Sequence, residues 1–417
     1  MSGTIVVSQF GARMHYAVPR ILEQAGMLER LYTDICAVRG WPRLLRTVPK
    51  DLLPRPLRRL GGRIPEGIPP AKITCFEMIG LSAVASRMLD DSQAGETATA
   101  LASARRFSLA VVGRGFGEAR GFYGISGECL EQIEAARAQG LRTAVEQIVA
   151  PKKILDRLVQ QEFERHPGWE PTIGDDPGSS AFADREKAEW DAADLIVCPS
   201  SFVRDGVRAA GGPAERCVVV PYGIDARFRL PERSLAADRP LRVLTVGAAG
   251  LRKGTPYVLE AALRMRGRAS FRLVGPVPLP ATRRVQLSEA LDMTGQVPRS
   301  EIMAHYEWAD LFLLPSVCEG SATVIYEALA AGLPVITTPN AGSVVRDGID
   351  GFLCPAGDID AICKRIGQLN RDRDLLAHMS RHARATARDY DLAGYGRRLL
   401  ATLAPIHAAA QQVDYAL

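Results

Sequence analysis

Two carboxylates, Glu319 and Glu327, stand eight positions apart in PSVCEGSATVIYEALAAGLPVITTP, residues 315–339. Such spacing is common by chance, and the helix dipole alone favours a glutamate early in a helix. The surroundings are more specific. DLFLLPS reads as a buried strand and VCEGSA as the connection at its carboxyl end. TVIYEALAA reads as a helix stopped by Gly332 and Pro334, and LPVITTP as the next strand. In such a unit Gly320 lets backbone approach a ligand closely. The N–H groups of Ser321, Ala322 and Thr323 point out of a helix N-terminus, a natural anion site. Glu319 then lies on the loop and Glu327 about one turn into the helix. They face different parts of an extended ligand and do not form a stacked helical pair.

The elements needed to hold this unit recur along the chain. Strand-like runs are TIVVSQF (4–10), RLYTDI (30–35), KITCF (72–76), SLAVVGRG (108–115), RTAVEQIV (142–149), DLIVCPS (194–200) and RCVVVPYG (216–223). The second half adds LRVLTVGA (241–248), SFRLVG (270–275), DLFLLPS (310–316), LPVITT (333–338) and GFLCP (351–355). Most are continuously apolar, the mark of parallel strands covered by helices on both faces. Strand–helix alternation predicts α/β architecture. The polar, strand-poor stretch 224–240 predicts a boundary between two doubly wound domains, with ligands at strand carboxyl ends and in the cleft between them. No repeat of 20–50 residues is visible.

With 417 residues, 47% hydrophobic and 24% charged, the chain has the composition of a globular protein of two or three domains. A formal charge of +5 argues for no nucleic-acid partner but leaves room for a local basic patch. MSGTIVVSQFG reads as an opening strand and not as a leader, and no apolar run is long enough to span a membrane. The eight scattered cysteines form no C-x-x-C pair, so buried free thiols in a reducing cytoplasm are expected. His378 and His382 are the one helical histidine pair, in an Arg-rich stretch that argues against a metal site.

PSVCEGSATVIYEALAAGLPVITT is similar, nearly position by position, to the E-x7-E segment of family 4 glycosyltransferases with the GT-B fold. ADLIVCPSSFVRDGVRAAG (193–211), LRVLTVGAAGLRKGTPYVLEAAL (241–263), GQVPRSEIMAHYEWADLFLLPS (295–316) and YDLAGYGRRLLATL (390–403) resemble that family in order and spacing. VVVPYGID (218–225) resembles its interdomain N-G-V-D signature, with Tyr222 in place of Asn. The likeness is strong over roughly 190–417 and topological before that. It implies a first domain over 1–223 facing the acceptor and a second over 224–389 holding the donor. A C-terminal helix within 390–417 would return to the first domain. It also implies transfer from a nucleotide-diphosphate sugar, UDP- or GDP-linked, with retention of configuration, no cofactor and no bound metal. Glu319 would hold sugar hydroxyls, the amides of Gly320, Ser321, Ala322 and Thr323 sugar and diphosphate, and Glu327 the ribose. The chemistry agrees: a carboxylate accepts from two vicinal hydroxyls, and Lys253 supplies positive charge for a departing diphosphate. The donor base is expected near 296–298, with Val297 in that loop.

The departures are as informative. The family's Arg after V-G is Ala248 here, and Arg252 is the candidate replacement. Of the early glycine pair only Gly11 remains, still able to bring backbone to the diphosphate; His15 is either an acceptor-side residue or a first-turn helix residue. The first-domain histidine has no counterpart in RTAVEQIVAPKKI. There Gln147 is a candidate to polarise the acceptor or touch the sugar, and Glu146 a candidate base. VVGRGFGEARGFYG (111–124) lacks a third glycine for a dinucleotide fingerprint and reads as a loop facing the cleft. Residues 39–63 hold eight Lys or Arg against one acid, with Leu and Trp41 interleaved. They are either a solvated insertion or a surface for anionic lipid headgroups, and the latter favours a glycan or lipid-linked acceptor at a cytoplasmic membrane face. Two other classes stay open: an epimerase or phosphorylase on the same fold, and a donor-binding subunit without turnover.

Overall fold

The computed structural model describes residues 3–49, 52–90, 92–170, 176–231 and 239–408. Thirteen strands form two separate parallel sheets. The first contains β1 (Ile5–Ser8), β2 (Leu28–Thr33), β3 (Ile73–Cys75), β4 (Gly121–Ile125), β5 (Arg142–Glu146), β6 (Leu195–Cys198) and β7 (Cys217–Val219), in the order β3-β2-β1-β4-β5-β6-β7. The second contains β8 (Leu241–Val246), β9 (Ala269–Val274), β10 (Asp292–Gly295), β11 (Leu311–Leu314), β12 (Val335–Thr337) and β13 (Gly351–Leu353), in the order β10-β9-β8-β11-β12-β13. The central strands β1, β4 and β11 are buried along their whole length, as their unbroken apolar runs require. Both sheets reverse strand order once, between β1 and β4 and between β8 and β11. Crevices open at the carboxyl ends of the strands at such switch points.

The helix Leu392–Ala408 returns to the first sheet. Ile224 pairs with Asp391 at its start, Arg398 donates to the carbonyls of Pro221 and Tyr222, and Ile406 packs against Gly121 on β4. The range 1–223 is not wholly confined to the first domain, however. After the helix Lys152–Arg165, Trp169 joins the core of the second sheet, where Leu158 and Phe163 also pack. Glu162 accepts from the Tyr257 hydroxyl at 2.5 Å and Glu170 from the Leu251 amide at 2.6 Å. This segment therefore straps one domain to the other.

Three strand assignments need correction. SLAVVGRG is the last part of a long helix, Gln93–Arg114, and not a strand: Phe107 and Val111 face the core while Leu109 is half exposed, a helical alternation. The strand is instead FYG and its neighbours, β4, inside the stretch read as a loop. Residues 115–120 sit at the amino end of the sheet, where Arg120 and Gly121 donate to the carbonyl of Thr4, so they do not face the cleft. β10 was not foreseen, because Asp292, Met293 and Thr294 form an edge strand with little apolar character. Among the described residues no helix is long and apolar enough to cross a membrane. All eight cysteines are free thiols, five of them buried, and no group of three or more His, Cys, Asp or Glu among the described residues is arranged to hold a metal ion.

Candidate functional site

The cleft lies where the two switch points face each other. Its volume is about 460 Å³. One wall comes from the loops after β8 and β11, with Arg252, Lys253 and residues 319–324. The other comes from the loops after β1 and β4, with Phe10, Arg13, Met14, Ile125 and Glu128, and from Ile148, Val149 and Tyr222.

The second-domain wall is built by two loops stitched together. Gly254 adopts φ +69°, and a side chain there would strike the carbonyl of Pro315. The Val317 amide donates to the Arg252 carbonyl at 2.9 Å, locking the register of the loops. Lys253 Nζ therefore comes within 2.7 Å of Glu319 Oε1, and Arg252 Nη1 within 3.4 Å of Oε2. Glu319 is only 8% exposed, so this carboxylate is held between two cations in a partly dry site. The helix Thr323–Ala330 begins at Ala322, which has no side chain able to cap it. Among the described residues the amides of Gly320, Ser321 and Thr323 meet no acceptor, whereas the Ala322 amide already donates to the Ala341 carbonyl at 3.1 Å. Ala322 is thus withdrawn from the expected set of anion-binding amides. Gly320 is squeezed from the opposite domain. A methyl group there would collide with the Ile148 carbonyl, and the Gly320 carbonyl accepts from the Ser200 hydroxyl at 2.6 Å. Ser200 also caps the first-domain helix Ser201–Ala209, accepting from the Val203 amide at 3.3 Å.

Glu327 lies on the same helix but outside the cleft lining. It accepts from the Tyr306 hydroxyl at 2.7 Å. Burial raises its pKa, against the opposing pull of Tyr306, Arg299 and Arg227. Val297 is half-buried on the loop after β10 and does not line the cleft. His15 lies in the short turn Arg13–Tyr16, outside the cleft lining, and reaches across the domains, where Arg299 Nη1 donates to its Nε2 at 2.5 Å. Burial and the cations Arg299, Arg227 and Arg20 depress its pKa.

The first-domain candidates turn inward. Gln147 is buried, donating to Glu186 and to the Val149 carbonyl and accepting from Trp190 Nε1 at 2.8 Å. Both its N–H groups and its carbonyl oxygen are engaged inside the domain, and it does not line the cleft. Glu146 is also buried. One oxygen accepts from the Tyr222 hydroxyl and the other from Tyr123, each at 2.9 Å, and Arg13 donates to Tyr222 at 2.7 Å. Glu146 is thus no free base; it holds Arg13 and Tyr222 in the cleft wall. Gly11 has φ +88° and donates to Asp34 Oδ1, shaping the loop after β1. Met14, His15 and Tyr16 that follow are all left-handed, a conformation costly for residues with side chains and therefore imposed by packing.

Glu128 was missed from sequence, because the strand preceding it was read as a loop. It sits past the end of β4, accepts from the Phe10 amide at 2.9 Å, and lines the cleft. Burial pushes its carboxyl up to about 8, with the Phe10 amide and Arg13 pulling the other way. Arg13 and Tyr222 were likewise not foreseen as site residues; the substitution of Tyr222 for Asn in the interdomain signature was the available signal.

Residues 240–372 match the family model described as "Glycosyl transferases group 1". The chain is 29% identical over 232 residues to the putative colanic acid biosynthesis glycosyltransferase WcaL of Salmonella typhimurium, covering 51% of this chain and 57% of that one. It is 29% identical over 223 residues to the GDP-mannose-dependent alpha-(1-6)-phosphatidylinositol monomannoside mannosyltransferase of Mycolicibacterium smegmatis, covering 47% and 58%. The chain spans about half the length of the curated relatives it matches. In three dimensions it resembles Anabaena HepE, solved in complex with UDP, with TM-score 0.61 and 16% identity over 97% of this chain and 100% of that one. Sucrose-phosphate synthase from Thermosynechococcus elongatus gives TM-score 0.64 at 16% identity, over 98% and 100%. The structural likenesses show the fold to be GT-B, and the family model places a match to a group 1 glycosyltransferase domain within residues 240–372.

Proposed function

We propose that this chain, which carries a group 1 glycosyltransferase domain, transfers a sugar from a nucleotide-diphosphate sugar to a hydroxyl acceptor with retention of configuration. The observation that carries the reading is the Lys253–Glu319–Arg252 cluster beside a helix start where the Gly320, Ser321 and Thr323 amides are left open. Relatives named as glycosyltransferases of envelope polysaccharide and of a phosphatidylinositol mannoside support it, and favour a glycan or lipid-linked acceptor.

Glu319 accepts from hydroxyls of the donor sugar. The amides of Gly320, Ser321 and Thr323 bind the diphosphate, and Glu327 takes the ribose. Placing a diphosphate here gives Lys253 and Arg252 a second anion to pair with. Their charge then grows in value as the bond from C1 to the leaving oxygen breaks and negative charge collects on the diphosphate. The acceptor oxygen bonds to C1 from the same face, and its proton passes to an oxygen of the leaving diphosphate. No protein base is needed, which accords with Glu146 and Gln147 both being engaged elsewhere. The two cations supply the charge compensation, so the reaction is expected to tolerate chelators.

The test is a panel of UDP- and GDP-sugars screened by thermal shift, followed by assay of the stabilising donor for hydrolysis and for transfer to candidate acceptors. NMR of the product reads the anomeric configuration. One stabilising donor and a product of unchanged configuration are expected. Inversion would overturn the same-face step, and donor binding without turnover on any acceptor would favour a donor-binding subunit. Release of sugar phosphate from glycan and inorganic phosphate would favour a phosphorylase.

A further inference from the structure

Large exposed apolar side chains are not spread evenly. Fourteen are found among the described residues, and nine of them fall between 41 and 89: Trp41, Leu44, Val48, Leu52, Met78, Leu81, Val84, Met88 and Leu89. The helix Glu77–Leu89 supplies five. Its inner face is slim, with only Gly80 and Ala83 buried. Its outer face presents Met78, Leu81, Val84 and Met88 at spacings of three and four, and Met88 and Leu89 are 82% and 88% exposed. A soluble helix normally keeps this stripe for the core and turns charge to water. The two clusters adjoin, because Gly40, next to Trp41, lies against the Glu77 carboxylate and has no room for a side chain.

Charge surrounds the apolar surface. Arg43 and Arg46 are exposed beside Trp41 and Leu44, Arg58 is exposed nearby in the chain, and Arg87 stands among Val84, Met88 and Leu89. The location is equally specific. Residues 35–40 and 76–77 follow the carboxyl ends of β2 and β3, the side of the sheet on which the cleft opens. Asp34 joins the two regions, accepting from the Gly11 amide with one oxygen and from Arg63 with the other, each at 2.9 Å.

We infer that residues 41–49, Leu52 and the helix Glu77–Leu89 form a docking surface for an anionic lipid bilayer, with the apolar side chains entering the interface and the arginines meeting the headgroups. An apolar helix face rimmed by arginine is the chemistry of interfacial binding, and charge complementarity selects an anionic membrane over an uncharged apolar partner. The inference goes beyond the proposed reaction and holds whether or not that reaction is the right one.

The test is co-sedimentation of the full chain with vesicles of phosphatidylcholine alone and with vesicles also carrying phosphatidylglycerol. Binding to the anionic vesicles is expected to be stronger by about tenfold or more, to weaken as salt rises, and to shift the Trp41 emission to shorter wavelength, a shift absent in Trp41→Phe. Arg43→Glu with Arg46→Glu, and separately Met88→Asp with Leu89→Asp, are each expected to reduce binding about tenfold or more. These side chains are exposed and outside the cleft, so nucleotide-induced thermal shift in the same variants should stay as in the parent. Equal binding to both vesicles, or binding unchanged by both double substitutions, overturns the inference. So does a dimer in sedimentation that disappears in Met88→Asp with Leu89→Asp, which would assign the surface to a second copy of the chain. Loss of nucleotide binding in the parent with vesicle binding intact would count against the proposed reaction alone.

Discussion

The two walls of the cleft are assembled on different plans. On the second-domain wall, Glu319, Gly320, Ser321 and Thr323 are neighbours in the chain, and one strand–loop–helix unit sets their positions. On the first-domain wall, Phe10 and Arg13, Glu128, Ile148 and Tyr222 come from four connections spread over more than two hundred residues. A wall made from two short local stretches, Arg252–Lys253 and Glu319–Thr323, can be read from spacing within each. A wall assembled from loop tips depends on which way each side chain turns, and that is decided by packing distant in sequence.

The sharpest way to break this contrast is at Lys253. Lys253→Ala is expected to lower the transfer rate by about 10²–10³-fold, the usual cost of removing one electrostatic contact to a charge that develops in the transition state. Circular dichroism should be unchanged. A rate within a few-fold of the parent would mean that the local wall is not where the chemistry is. Glu146→Ala tests the other wall. It strips both tyrosine hydroxyls of their acceptor and is expected to cost about 2–4 kcal/mol in denaturant unfolding, with activity falling through the displaced Arg13 and Tyr222. Full stability with abolished transfer would return Glu146 to the role of a base.

Gln147→Leu should cost about 1–3 kcal/mol of stability by orphaning Trp190 Nε1 and one oxygen of Glu186, yet shift the donor KM only slightly. A large KM change with stability intact would show the side chain reaching ligand after all. The smallest effect is expected from pH. Glu128 holds its proton up to about 8, so raising pH through that value adds a negative charge to the lining of the cleft proposed to take a diphosphate. Donor affinity should fall severalfold as pH rises, and Glu128→Gln should flatten the profile. A fall of the same size in the variant would trace it to another group.

Legibility followed the same division. The parallel α/β architecture was readable because β1 and β11 are buried along their length and so keep apolar runs, while β8 is interrupted only at Arg242 and Thr245. SLAVVGRG misled because a helix that is mostly covered can also carry a short apolar run, and periodicity over eight residues does not separate the two. That error concealed β4 and with it Glu128. Glu146 and Gln147 were placed correctly at the end of β5 but assigned the wrong neighbours. The residues that claim them, Tyr123, Glu186, Trp190 and Tyr222, lie 23 to 76 positions away. Ala322 was misjudged for a smaller reason: its amide is taken by Ala341, on a turn that helix geometry alone does not reveal.

The Ser200 hydroxyl has a consequence of its own. Its two bonds face different domains, one closing its own helix and one reaching Gly320. If the domains swing apart, only the second breaks, at a net cost of about 1 kcal/mol, and the helix keeps its cap. The serine then works as a latch on a fixed post: it holds the loop after β11 shut at small expense, releases without loosening its mounting, and is poised to catch again when the loop returns.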